Sequence, residues 1–166
     1  TELVQAIFGN HKVTDGEILI KGKPVKIKSP QQAIKLGMGL VPDERRTLGL
    51  VMKFDIKDNT VLPSMKLFRK AGVFQDHKAE MKAAYEINEK MNLAYHSLWQ
   101  NVKKLSGGNQ QKIVIAKWML RDTEIFLLDE PTRGIDIGAK FEIYNLIHEL
   151  TKQKKAVILV SPEMEE

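Results

Sequence analysis

Cysteine is absent from the 166 residues, which excludes a disulfide framework, a thiolate metal site and a thiol nucleophile. A reducing compartment is compatible with that absence. No apolar run approaches the roughly 20 residues that cross a bilayer as a helix, and no secretory leader opens the chain. Neither sign of charge dominates: 26 Lys and Arg against 21 Asp and Glu leave +5, dispersed along the sequence. That balance permits an anionic ligand but lacks the clustered basic face of a nucleic-acid binder. With 43% hydrophobic and 28% charged residues, the composition is that of a soluble globular protein and excludes disorder. The length is about one domain's worth, enough to bury roughly two-thirds of the unfolded surface. The chain opens at Thr1 rather than Met and stops at Glu166 just past an apolar run, so it reads as a piece of a longer polypeptide.

Along the chain, residues 1–8 read as a short helix ended by Gly9. Residues 16–20 and 25–27 alternate apolar and polar around a turn and predict a hairpin. Ser29-Pro30-Gln31-Gln32 predicts a helix start, with Ser29 as cap, Pro30 at the first helical position and Gln32 completing a capping box. Gly37 ends that helix and Met38 to Val41 reads as a strand. From about Leu50 to Leu105 the texture changes: Met81, Ala84, Ile87 and Met91 recur at helical spacing between Lys and Glu. This is an amphipathic insert whose methionines are core filler. After Ser106 an α/β rhythm returns, with a helix over about 108–120, a buried strand over 125–128, a helix over about 137–152 and a buried strand over 156–160. Short apolar runs alternating with helices predict a parallel sheet.

Two motifs carry chemistry. In Leu105-Ser106-Gly107-Gly108-Asn109-Gln110-Gln111-Lys112, a hydroxyl and two glycines precede a helical run. Free N–H groups at a positive helix end would suit a phosphate, with Ser106 capping or donating to it; the same residues also fit a plain capped turn. In Ile125-Phe126-Leu127-Leu128-Asp129-Glu130-Pro131-Thr132, two carboxylates stand at the C-terminal end of a strand, where open α/β sheets bind ligands. One could hold Mg2+ through its waters and the next orient an attacking water; alternatively Asp129 caps the following turn.

One helix apart, the two motifs together are far more specific than either. Ser106-Gly107-Gly108 is similar to the signature motif of ABC-transporter ATPases, and Leu127-Leu128-Asp129-Glu130-Pro131 to their Walker B strand. The run from Leu105 to Ala139, including Pro131-Thr132-Arg133-Gly134-Ile135-Asp136, resembles the monosaccharide-importer branch, and within it the second, C-terminal nucleotide-binding half of the tandem ATPases of ribose, xylose and galactose importers. Residues 33–34 and 37–46 fit that half as well, and residues 63–100 match in pattern.

The resemblance implies an α/β fold of the P-loop NTPase (RecA-like) kind. Residues 1–49 would be the first part of the ATPase core with its antiparallel hairpin, 50–105 a helical subdomain, and 106–166 the part carrying signature helix, Walker B and D-loop. It implies ATP and Mg2+ as ligands, two ATP molecules being sandwiched head to tail between two halves. Ser106, Gly107 and Gly108, with Asn109 and Gln110, would bind the ATP held mainly by the partner half. Asp129 and Thr1 would ligate Mg2+, Glu130 would be the catalytic group polarising water, and Asp136 would cross the interface. Implied partners are the other half of the same polypeptide, transmembrane permease subunits and, indirectly, a sugar-binding protein, at the cytoplasmic face of the membrane and without nucleic acid.

Three departures qualify this. The family's glycine-rich phosphate loop would lie immediately before Thr1 and is not among these residues, so on their own they are expected to bind ATP poorly and hydrolyse it negligibly. Asp43 stands where a glutamine is expected; a carboxylate cannot donate and repels phosphate, although Asp43 also fits as a plain loop acid. Pro162 stands at the switch-histidine position and offers no side-chain donor, and acidic Glu163, Glu165 and Glu166 follow it. None of the four histidines falls there. The expectation is a degenerate site on this half beside an intact donated signature. Leu48, Leu50, Val51 and Met52 lie where the family receives a permease helix, and burial within the helical subdomain accounts for them equally. A soluble tandem ATPase of translation or repair type and a purely regulatory, non-hydrolytic half are the alternatives.

Overall fold

The computed structural model describes residues 1–70 and 74–162. Helix α1 (Glu2–Ile7) buries Val4 and stops at Gly9, which has φ +84°. Strands β1 (Ile18–Ile20) and β2 (Lys23–Val25) pair antiparallel around Lys21-Gly22, both with positive φ, the chirality that suits a tight hairpin. Helix α2 (Pro30–Lys35) starts with Pro30 at its head as expected, but the reciprocal capping box does not form. Ser29 makes no side-chain cap bond, and Gln32 Oε1 accepts from the amide of Lys28, one residue further back, at 2.8 Å. Gly37 then turns the chain with φ +81° into β3 (Met38–Val41), buried at every position.

The middle of the chain begins with one turn of π-helix at Arg45–Gly49. Helix α3 (Ile56–Val61) is capped by Asp55, and a 3-10 turn follows over Leu62–Phe68. The two-residue strands β4 (Arg69–Lys70) and β5 (Phe74–Gln75) make a small antiparallel pair within a stretch expected to be helical. Helix α4 (His77–Lys90), capped by Asp76, buries Ala84; Met91 follows it into the core, and Met81 and Ile87 lean against the same core. The 3.6-residue period therefore marks the buried face correctly.

Helix α5 (Gly107–Leu120) packs against α3, α4, β3 and α6 (Ile137–Lys152). It is buried nearly all round, including the polar Gln110, Gln111, Lys112 and Lys117. Trp118 lies across the bare face of Gly39 and donates from Nε1 to the Leu40 carbonyl at 2.7 Å, fixing α5 on β3. Strand β6 (Ile125–Asp129) is the centre of a parallel sheet in the order β3-β6-β7, with Met38 opposite Ile125 and Ile125 opposite Ala156. Phe126, Leu127 and Leu128 are fully buried, each side chain contributing about 1.5–3 kcal/mol over exposure. Strand β7 (Ala156–Val160) differs from the expected buried strand. Among the described residues it is one of the two outer strands of the sheet, and unlike the other, β3, it is not covered: Ala156 is exposed and Ile158 is 39% exposed.

Candidate functional site

At the C-terminal end of β6, Asp129 is completely buried. The hydroxyl of Thr1, 128 residues earlier, donates to its Oδ1 at 3.1 Å. Its Oδ2 has no partner among the described residues. A buried, half-satisfied carboxylate beside a hydroxyl is a hard-oxygen pair suited to Mg2+, which keeps several waters and needs only one or two carboxylates. No group of three His, Asp or Glu residues able to hold a metal occurs among the described residues.

Glu130 follows with φ +44°, the left-handed region, which costs a residue with a Cβ on the order of 1 kcal/mol. Its amide donates to the Val160 carbonyl at 2.8 Å, so the sheet ladder holds the strained residue in place. Its side chain is 27% exposed and reaches within 3.8 Å of Arg133 Nε.

The turn at 106–109 is tightly wired. Ser106 caps α5, and its Oγ accepts from both the amide and the Nδ2 of Asn109, at 3.3 and 3.0 Å. With both acceptor positions engaged, the exposed hydroxyl keeps its proton for donation. Asn109 is itself oriented by the Ala94 amide, which donates to its Oδ1 at 3.1 Å.

The two glycines are closely packed. A Cβ on Gly108 would sit 2.5 Å from the Ala139 Cβ, and one on Gly107 would meet Arg45 Nη2 at 2.9 Å. The bareness of Gly108 is required by packing inside the chain, and a side chain at 107 would displace the Arg45 guanidinium. Gln110, expected beside the nucleotide, is wholly buried, donating to the carbonyls of Val102 and Leu105 and accepting from Arg46, so its side chain is spent on the preceding turn. Asp136 is exposed and caps α6 through a bond from the Ala139 amide at 2.9 Å.

Asp43 is paired with Arg133, Nη1 to Oδ2 at 3.0 Å, so its carboxylate is neutralised within the chain. Asp43, Glu44, Arg45, Arg46, Arg133 and Gly134 line one cleft. No sequence signal marks Arg45 and Arg133 as meeting here, since they lie 88 residues apart. Of the apolar residues after it, Leu48 is 63% exposed and Val51 36%, Met52 is half-buried, and Leu50 at 6% is core and faces no partner. Pro162 is exposed; Glu163, Glu165 and Glu166 lie outside the described residues.

Solved structures share this architecture. A dimeric ATP-binding cassette in a post-hydrolysis state bound to ADP and Pi superposes with a TM-score of 0.78 at 23% identity, over 99% of this chain and 70% of that one. A nucleotide-free ATP-binding cassette from an ABC transporter gives 0.76 at 20% identity, over 98% and 65%. The fold is that of the ABC ATPase cassettes, a P-loop NTPase fold. Residues 1–133 match the family described as ABC transporter, and the chain belongs to it. It is 41% identical over 166 residues to a putative ribose/galactose/methyl galactoside import ATP-binding protein of Albidiferax ferrireducens, covering 100% of this chain and 33% of that protein. To the xylose import ATP-binding protein XylG of Geobacillus kaustophilus it is 46% identical over 167 residues, with the same coverage. The chain thus spans about a third of the length of the curated relatives it matches.

Proposed function

We propose that the chain is the greater part of the second nucleotide-binding half of a tandem ABC ATPase that drives monosaccharide import. The observation that carries this reading is the Thr1 hydroxyl set against the buried Asp129 carboxylate, two residues 128 apart in sequence meeting at the C-terminal end of the central strand. The names of the relatives, all sugar import ATP-binding proteins, supply the substrate class. Residues 1–49, 50–105 and 106–166 form respectively the first part of the core, the helical subdomain and the signature–Walker B part.

In this reading Asp129 and Thr1 hold Mg2+ and Glu130 orients the attacking water. Mg-ATP, when bound, supplies the phosphoanhydride whose cleavage drives transport. Ser106 donates its free proton toward a phosphate oxygen of an ATP held by the other half; Asn109 keeps the hydroxyl turned for that donation. Gly107 and Gly108 let the helix end sit where its N–H groups face the phosphate, and Asp136 fixes the start of α6 at the interface. Permease subunits, the other half of the polypeptide and, indirectly, a sugar-binding protein are the partners, and the working place is the cytoplasmic face of the membrane.

The chain's own site is the weaker of the two. Asp43 is engaged with Arg133 and cannot donate as an amide would, and Pro162 offers no side-chain donor. A non-hydrolytic, regulatory half is the second reading, favoured by those same two residues. ATP turnover by the complete polypeptide with its permease tests the asymmetry that both readings share, comparing Ser106→Arg with Glu130→Gln. Loss of more than about 90% of turnover with Ser106→Arg and near-normal turnover with Glu130→Gln is the expected result, the scale set by losing a phosphate-stabilising donor. Equal loss in both would mean that Glu130 is fully catalytic and the asymmetry does not exist.

A further inference from the structure

The loop leaving β3 and the loop leaving β6 hold each other through two arginines pointing in opposite directions. Arg45 donates from Nη1 to the Arg133 carbonyl at 2.7 Å and from Nη2 to the Gly134 carbonyl at 3.0 Å. Arg133 reaches back, with Nη1 at 3.0 Å from the Asp43 carboxylate, Nη2 at 3.7 Å from Glu44 and Nε at 3.8 Å from Glu130. We infer that Arg45 and Arg133 form a reciprocal clasp that positions Glu130 on one side and the signature turn at Gly107 on the other. Both arginines are then positioning residues, one step removed from the nucleotide. The inference rests on the ATPase reading above for what the two positioned groups do.

A single exposed ion pair contributes little, and three features set this arrangement apart. First, the Arg45 fork serves two successive carbonyls of a turn in which Gly134 is left-handed, with φ +64°. A planar guanidinium presents its two donors in a rigid fork suited to such a pair of acceptors. Burial holds the Arg45 pKa below its ordinary value, with Arg46 adding to the effect and Glu44 opposing it; a cation that costs desolvation is offset here by the carbonyls it binds.

Second, the signature turn rests on the clasp. A Cβ on Gly107 would meet Arg45 Nη2 at 2.9 Å, the Gly134 carbonyl at 3.2 Å and Ile135 Cγ2 at 3.4 Å. A Cβ at 107 would push the guanidinium aside, so the turn and the arginine lie in direct contact, and a shift of either loop moves the turn. Third, Arg133 faces three carboxylates, one of them Glu130. Asp43, an acid at a position where an amide is expected, is the tether of this arginine and is not left to repel a phosphate. Through the clasp, the loop after β3 touches both the residue poised at this half's own site and the turn it donates to the other.

The test uses the complete polypeptide with its permease and reads hydrogen–deuterium exchange without nucleotide alongside Mg-ATP turnover. Arg45→Met should speed exchange of the amides at 106–108 and 133–136 by about tenfold and leave β6 unchanged. It should lower kcat on the order of tenfold, with KM for Mg-ATP within about twofold, as misplacing a reacting group does. Arg45→Lys should fall well short of the wild type, since a flexible ammonium lacks the rigid fork that holds both carbonyls at once. Arg133→Met and Asp43→Asn should each loosen residues 130–136, and the double variant should be no worse than either alone. Exchange that rises uniformly along the chain, or fully additive effects of those two substitutions, would overturn the clasp. A wild-type polypeptide that neither binds nor turns over Mg-ATP would overturn the ATPase reading instead, and the exchange measurements would still decide whether the clasp exists.

Discussion

A Cβ built on Gly108 would come within 2.5 Å of the Ala139 Cβ, whereas one on Gly107 meets the far end of a flexible arginine. The two adjacent glycines therefore answer differently to the same substitution. Gly108→Ala forces the first turns of α5 and α6 apart, because neither methyl has anywhere to turn. It should destabilise by about 2 kcal/mol, the ordinary cost of overpacking. Restoring room with Ala139→Gly in the same chain should recover roughly half, the remainder reflecting glycine's cost in a helix. Urea unfolding of the wild type and the two variants checks this, and a double variant no better than the single one would refute it. Much of this neighbourhood was legible in the sequence: a hydroxyl, two glycines and a helix announce a capped turn, and two acids ending an apolar run announce a strand end that binds something. What was not legible is where each side chain spends its hydrogen bonds. Gln110 sits inside a motif expected to bind a ligand, yet helical rotation turns it into the core. Arg45 and Arg133 meet across 88 residues, and no local pattern records such a meeting.

Helix α5 has little amphipathic contrast because it is enclosed by α3, α4, β3 and α6. Its oddest passenger is Lys117, buried, donating to the Gly49 carbonyl and lying 5.5 Å from the Trp118 ring centroid. Burial lowers its pKa to about 8. Between about pH 8 and its ordinary value near 10.5 the unfolded chain binds the proton that the folded chain has released. In that window this group makes stability rise with pH; below about 8 its cost is fully present and constant. Relative to Lys117→Met, the native helix should therefore gain on the order of 1–3 kcal/mol as pH rises through the window. Urea midpoints followed by tryptophan fluorescence would show the gap between the two proteins shifting in the native protein's favour. Parallel pH curves would sink the idea. The elements themselves were mostly readable, α6 and β7 to the residue, since long periodic or apolar stretches bounded by Gly or charge leave little choice. The β4–β5 pair was not, because two-residue strands of Arg, Lys, Phe and Gln have no period to read. Nor could the apolar run of β7 reveal that it is an edge, since sheet order depends on which strands flank it and not on its own residues.

Across the whole molecule, α5 is the member that joins the helical middle to the parallel sheet. Lys112, almost fully buried, makes the join explicit by donating to the Asn92 carbonyl at 2.8 Å and pairing with Glu142 on α6 at 2.8 Å. The groups suited to a nucleotide are thereby held in two separate places. One is the Thr1–Asp129 pair with Glu130 at the end of β6; the other is the Ser106 turn at the head of α5, which in the proposed function serves an ATP bound elsewhere. Between them these residues supply oxygen ligands for a metal and one hydroxyl donor, but no lysine set in a glycine-rich loop to meet the β- and γ-phosphates. Most of the charge on a triphosphate would remain unmatched. The 166 residues by themselves should accordingly bind Mg-ATP with Kd weaker than about 1 mM, or less than about 4 kcal/mol of binding free energy. The complete polypeptide should bind orders of magnitude more tightly. Isothermal titration of both with Mg-ATP makes the comparison directly. A micromolar Kd for the 166 residues alone would mean that Thr1, Asp129 and the Ser106 turn hold the triphosphate without further help. In that case the division of labour between this chain's own site and the signature it donates would have to be abandoned.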